Sequence, residues 1–288
     1  MNVAYRGHRY RSADGRLTLF ARDYPGEGAP LLLMHGLTRN SADFEPLAAH
    51  LAGKYRLIVA DQRGRGLSEH DPDPAHYRPD VYAADMWALL DSLEIGKAGL
   101  IGTSMGGLMA MIMGAVDAAR VSVIVLNDVG PEIMAEGLER IRSYVGGGGG
   151  VLRDWREAAD RCAAINGQAF PDFVRADWLI FARRTCTERP DGGIAFAYDP
   201  AISSSVQGPE PATVPPDLWP LWDMLSDIPI LLIRGALSDL LSPETAATMA
   251  RRHGGAFTRV DIANRGHAPM LDEPAAVAAI TDFLDRHV

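Results

Sequence analysis

Cysteine is nearly absent: Cys162 and Cys186 are the only two in 288 residues. Two thiols cannot build a disulfide framework, and their spacing matches no metal or redox motif. They read as scattered thiols in a reducing compartment. No apolar run approaches the roughly 18 residues that a membrane-spanning helix needs. The opening stretch MNVAYRGHRYRSADGR has no apolar segment of the kind a secretory signal carries. Lys and Arg nowhere gather into a basic patch, and the formal net charge is −9. Both facts argue against nucleic acid as a partner. There is no GxGxxG for a dinucleotide and no GxxxxGK[S/T] for a nucleoside triphosphate. These absences lead to the expectation of a cytoplasmic protein with a small-molecule substrate. No cofactor, metal or membrane partner is expected, and either a monomer or a homodimer is compatible.

What is present is an ordinary globular composition, 47% hydrophobic and 23% charged, sufficient to bury a large core. Residues 3–10 and 16–24 are two β-prone runs split by SADGR, which predicts an antiparallel hairpin turning at Asp14-Gly15. Short continuous apolar runs then recur: PLLLMHG (30–36), RLIVAD (56–61), AGLIG (98–102) and VSVIVLND (121–128). Such runs suit strands buried on both faces. Helix-length segments at 41–54, 78–93 and 104–117 separate them. Strand and helix in alternation predict βαβ units and a mainly parallel sheet.

The alternation stops after Asp128. Residues 131–225 lack buried-strand runs and contain helical stretches near 151–166 and 172–185. They also hold GGGGG (146–150), which reads as a hinge or a loop tip, and a Pro-rich stretch at 208–221. The rhythm resumes with IPILLIRGA (228–236), a helix at 243–253, a strand at 256–262 and a final helix at 273–288. The expectation is one α/β core domain, 1–130 with 226–288, interrupted by a helical cap at 131–225.

The chemistry centres on Gly102-Thr103-Ser104-Met105-Gly106, a GxSxG pentapeptide between an apolar strand and an apolar helix. A nucleophilic serine there needs a very tight strand-to-helix turn, and the two glycines leave room for it. The bland alternative is that Ser104 only caps the helix, which would not require both glycines. A serine hydroxyl needs a base to take its proton. Of eight histidines, His267 alone lies in a loop between a late strand and the last helix. The other seven have polar, helical or loop contexts, and His35 reads as a structural tie beside its loop. Two aspartates compete to orient His267. Asp239, in RGALSDLLSPE, is favoured by chain order; Asp128, in VLNDVGP, also ends a strand and is the alternative acid. The oxyanion hole calls for two backbone N–H groups, assigned to Met105 and to Leu37 after His35-Gly36. DQRGRGLS (61–68) reads as a structural loop held by Asp61 and Arg63. Cap aromatics Trp155, Phe170, Trp178, Phe181, Trp219 and Trp222 suit an apolar substrate pocket. Their alternative role is the cap's own small core.

HGL, DQRGRGLS, GTSMGG, RGALSD and GHAPMLDEP together resemble the α/β-hydrolase superfamily, in order and spacing and over nearly the whole chain. The resemblance implies eight strands, mostly parallel, with a cap inserted after the sixth. It also implies a serine hydrolase acting on a carboxylic ester or lactone of a small to medium apolar acid. Epoxide hydrolases and haloalkane dehalogenases are similar but carry an aspartate nucleophile, and Ser104 argues against both. C–C hydrolases of aromatic ring-cleavage products keep the serine, but their longer HGSGPG loop differs from HGLTRN here. A small-ligand receptor with vestigial activity is the alternative from another class.

Overall fold

The computed structural model describes residues 3–145, 150–206 and 217–288. The first hairpin is β1 (Arg6–Arg11) and β2 (Thr18–Tyr24), antiparallel with Arg6 opposite Asp23 and Arg11 opposite Thr18. Alternation follows: β3 (Gly26–Met34), α1 (Glu45–Leu51), β4 (Gly53–Asp61), α2 (Pro79–Ser92), β5 (Ala98–Thr103), α3 (Met105–Val116) and β6 (Val121–Asn127). The segment between β6 and the next sheet strand holds α4 (Ala135–Tyr144), α5 (Trp155–Asn166), α6 (Arg175–Thr185), β7 (Cys186–Glu188), β8 (Ile194–Phe196) and α7 (Trp219–Asp223). The chain closes with β9 (Ile230–Gly235), α8 (Pro243–Arg252), β10 (Phe257–Ile262) and α9 (Pro274–His287).

Eight strands form one sheet in the order β1-β2-β4-β3-β5-β6-β9-β10. β2 meets β4 antiparallel, and every neighbouring pair from β4 to β10 is parallel. This is the expected α/β architecture, a mostly parallel sheet flanked by helices. β6 and β9 are sheet neighbours, so the long segment between them leaves and rejoins the sheet without displacing a strand.

The apolar runs are continuous because both faces of the sheet are covered. Leu31 and Leu33 of β3 pack in one layer with Leu47 of α1 and Ile280 of α9. Leu32 and Met34 face the other layer, with Met86 of α2 and Met109 of α3. All of these side chains are fully buried.

The inserted segment carries its own apolar cluster, in which Phe170, Trp178 and Phe181 pack edge to face. Cys162 and Cys186 are both free and both in this cluster, rather than scattered. Two differences from expectation arise here. β7 and β8 form a small antiparallel hairpin, Cys186 opposite Phe196, too short for strand periodicity to reveal. α4 was not anticipated, and it positions a residue that matters below. Residues 146–149 of the glycine run and 208–216 of the Pro-rich stretch lie outside the described residues. Among the described residues, no helix is long and apolar enough to cross a membrane.

Candidate active site

Ser104 joins β5 to α3 and has φ 53° and ψ −116°. A left-handed φ in a residue with a side chain is costly, on the order of 1–3 kcal/mol. The flanking glycines make the turn feasible. A Cβ on Gly102 would overlap the Gly106 carbonyl, and one on Gly106 would overlap the Met34 carbonyl of β3. The helix is therefore pressed against two strands, and Ser104 projects from the corner. Its side chain makes no capping hydrogen bond to α3. Instead Ser104 Oγ donates to His267 Nε2 at 2.8 Å. The structure thus separates the two roles weighed for this serine: its hydroxyl faces an imidazole, not the helix.

His267 Nδ1 donates to Asp128 Oδ2 at 2.8 Å. The expected acid, Asp239, does not make this contact. Its carboxylate lies on Arg140 of α4, which donates through Nε and Nη2 at 2.5 and 2.9 Å. The Asp239 side chain is 32% exposed, whereas Asp128 is fully buried. Burial alone would raise the Asp239 pKa; the Arg140 guanidinium outweighs it and holds the carboxyl below its usual range. Asp128 sits just beyond β6 with φ 59°, a conformation that Asp tolerates better than most residues. Its carboxylate also accepts from the Gly235 N–H at 2.8 Å and from Ser238 Oγ at 2.7 Å. Gly235 ends β9 and Ser238 lies in the loop after it. Asp128 is therefore oriented by three hydrogen bonds, one of them from the imidazole, and Asp239 by the Arg140 guanidinium.

Leu37 and Met105 border the same cavity as Ser104. Met105 opens α3, so its N–H is one of the helix donors with no partner inside the helix. Among the described residues, the Leu37 N–H also has no backbone acceptor. The Leu37 loop is braced from below. Arg65 Nε donates to the Leu37 carbonyl at 2.9 Å and its guanidinium reaches Met105 Sδ at 3.7 Å. His35, fully buried, donates from Nδ1 to the Gly36 carbonyl at 2.7 Å and accepts at Nε2 from the Gln62 N–H at 3.3 Å. Burial drives its pKa down to about 3, so it is a neutral tie between loops. The 61–68 loop is structural as read: Asp61 accepts from the Ser41 and Leu67 N–H groups at 2.6 and 2.9 Å. Arg63 forks onto Asp85 at 2.8 Å through two nitrogens and reaches Asp71 at 2.6 Å.

A cavity of ≈ 100 Å³ lies over Ser104 and His267, with Arg39, Asp43, Phe170 and Phe181 in its wall. Of the expected pocket aromatics, Phe181 and Phe170 line it. Trp178 is buried behind them in the inserted segment's cluster. Trp222 is fully buried in the main core against Phe257. Trp155 and Trp219 are covered by Arg183 and Arg252, with cation-to-centroid distances of 4.7 and 4.6 Å. These four tryptophans pack the fold instead of lining the cavity. Sequence reasoning missed Arg39, Arg140 and Ser238: Arg140 and Ser238 meet their carboxylates only through tertiary packing, and Arg39, paired locally with Asp43, reaches Phe181 and the cavity wall only through it. Among the described residues, no group of three or more His, Cys, Asp or Glu could hold a metal ion.

Residues 29–274 match the family model of the alpha/beta hydrolase fold. Over 90% of this chain and 89% of the relative, the sequence is 33% identical to a 3-hydroxybutyrate-oligomer hydrolase of Cupriavidus necator. It is 30% identical to a 2-(acetamidomethylene)succinate hydrolase of Mesorhizobium japonicum, over 94% of this chain and 93% of the relative. An alpha/beta hydrolase from Novosphingobium aromaticivorans superposes with a TM-score of 0.91 at 43% identity, covering 99% of each chain. On this match and these relatives, this chain belongs to the α/β-hydrolase family and is a hydrolase of small molecules.

Proposed function

We propose that this hydrolase cleaves carboxylic esters through an acyl-enzyme, with Ser104 as nucleophile, His267 as base and Asp128 as its orienting acid. The observation that carries the proposal is the unbroken hydrogen-bonded chain Ser104–His267–Asp128, 2.8 Å at each link. His267 Nε2 takes the Ser104 proton as Oγ bonds to the ester carbonyl carbon. The N–H groups of Leu37 and Met105 stabilise the resulting oxyanion, a task for preorganised donors. The C–O bond to the alcohol then breaks, and His267 returns its proton to the leaving oxygen. Water repeats the cycle: its oxygen bonds to the acyl carbon, its proton passes to His267, and the Ser104 ester bond breaks as His267 returns that proton to Ser104 Oγ, releasing the acid. Asp128 holds the imidazole in the tautomer with Nδ1–H and stabilises the imidazolium. Residues 131–225 act as the cap over this centre, on a core of 1–130 and 226–288. The relative named for 3-hydroxybutyrate oligomers supports a short acyl substrate.

The test is p-nitrophenyl butyrate turnover with labelling of Ser104 by a fluorophosphonate. Ser104→Ala is expected to lower kcat by about 10⁶-fold and to abolish labelling. Unchanged turnover by Ser104→Ala would overturn the proposal. Labelling of the parent protein without ester turnover would favour a binding role.

A further inference from the structure

A second cavity, ≈ 40 Å³, also borders Ser104. Apart from Ser104 its described lining is wholly apolar, closed by Leu108, Val129, Ile133, Leu138, Val206 and Leu240. Both oxyanion candidates, Leu37 and Met105, border it, and His267 does not. The larger cavity is mixed: beside apolar walls such as Phe170, Phe181 and Ile165 it contains His267 together with Arg39, Asp43, Tyr144, Asn166 and Thr185. Ser104, Leu37 and Ile141 belong to both. The nucleophile therefore stands on the boundary between an aliphatic chamber and a mixed one that holds the hydrogen-bonding groups.

Reaction chemistry decides which half of an ester each chamber takes. The leaving oxygen must receive its proton from His267 Nε2, so the alcohol lies on the side where His267 is exposed. The acyl chain, on the opposite side of the carbonyl carbon, points into the chamber from which His267 is absent. We infer that the aliphatic chamber is the acyl pocket and the mixed chamber the alcohol pocket, so that the preferred substrates are short-chain aliphatic acyl esters of an alcohol that carries a hydrogen-bonding group. This rests on the acyl-enzyme reading above.

Size and charge narrow both halves. A small cavity of ≈ 40 Å³ bounded by aliphatic side chains suits a short acyl chain better than a long one. In the mixed chamber Arg39 is held by Asp43 through two hydrogen bonds, Nε donating at 2.6 Å, and lies 3.9 Å from the Phe181 ring centroid. The Arg39–Asp43 pair has no net charge and presents both donor and acceptor edges. It suits an alcohol bearing hydroxyl or carbonyl groups rather than a bare alkyl chain.

The test is a chain-length series of p-nitrophenyl esters, which holds the leaving group constant while the acyl half grows. In the parent protein kcat/KM is expected to rise about fourfold per methylene from acetate to butyrate and then to fall by octanoate. Leu138→Ala should raise the octanoate-to-butyrate ratio about tenfold, and Ile133→Phe should lower the butyrate-to-acetate ratio by a similar factor. Asn166→Leu, in the other chamber, should keep the parent chain-length ratios and alter discrimination among alcohols in a set of butyrate esters. Ser104 butyrylation, read by mass spectrometry, separates the two possible failures. Without it the acyl-enzyme reading falls. If Ser104 acylates while both aliphatic-chamber variants keep the parent ratios, or change alcohol preference instead, the assignment of the chambers is overturned.

Discussion

Asp128 and Asp239 are chemically the same group at the same edge of the same sheet. Each follows a parallel strand, β6 or β9, and each lies in the region of Ser104 and His267. Their surroundings differ completely. Asp128 is sealed from water and takes three hydrogen bonds, one of them from the imidazole. Asp239 is partly exposed and neutralised by an arginine on α4. Position along the sheet edge is thus insufficient to orient a histidine. What distinguishes the two is which donors converge on the carboxylate and whether a competing cation has claimed it.

The sharpest way to break this comparison is to neutralise each acid in turn. Asp128→Asn is expected to reduce kcat by about 10⁴-fold, because the amide no longer favours the required imidazole tautomer. Steady-state turnover of p-nitrophenyl butyrate reads this directly; equal losses from Asp128→Asn and Asp239→Asn would erase the distinction. A finer cut is Ser238→Ala. Ser238 donates to Asp128 and accepts from the Leu240 and Leu241 N–H groups at 3.2 and 3.1 Å. Losing it should lower kcat about tenfold, the equivalent of one modest charge-assisted hydrogen bond, with KM little changed.

The smallest expected effect belongs to Asp239→Asn. Turnover should stay within about threefold of the parent, while stability falls by about 1 kcal/mol, typical of a partly exposed ion pair. Its pH dependence has a definite sign. The folded pKa of Asp239 is depressed, so its contribution is complete above the unfolded value near 3.9 and is lost as pH falls through the folded value. Thermal melts of the two proteins should therefore differ at pH 7 and converge below about pH 4.

Much of the fold could be read in advance because burial on two faces leaves a mark in one dimension. LLL at 31–33 and LIV at 57–59 are apolar at every position since each successive side chain enters a different covered layer. GTSMGG was legible for a related reason: close contact of backbone with backbone demands glycine at both flanks. The pairing of Asp239 with Arg140 carries no such mark. Arg140 lies on an amphipathic helix where a surface arginine is unremarkable, and 99 residues of chain separate the partners. The tryptophans of residues 131–225 misled for the opposite reason, since aromatic side chains look alike in sequence whether they line a cavity or fill a core.

The amino-acid sequence by itself determined the alternation of buried strands and helices, the tight turn at Ser104 and the loop that carries His267. These follow from local sterics and hydrophobic periodicity, which act over a few residues. Only the tertiary structure decided which carboxylate meets His267 and that Ser104 stands between an aliphatic and a mixed chamber. Those outcomes depend on where β6, the loop after β9 and α4 converge in space, and each residue's role is set by neighbours that the linear order does not reveal.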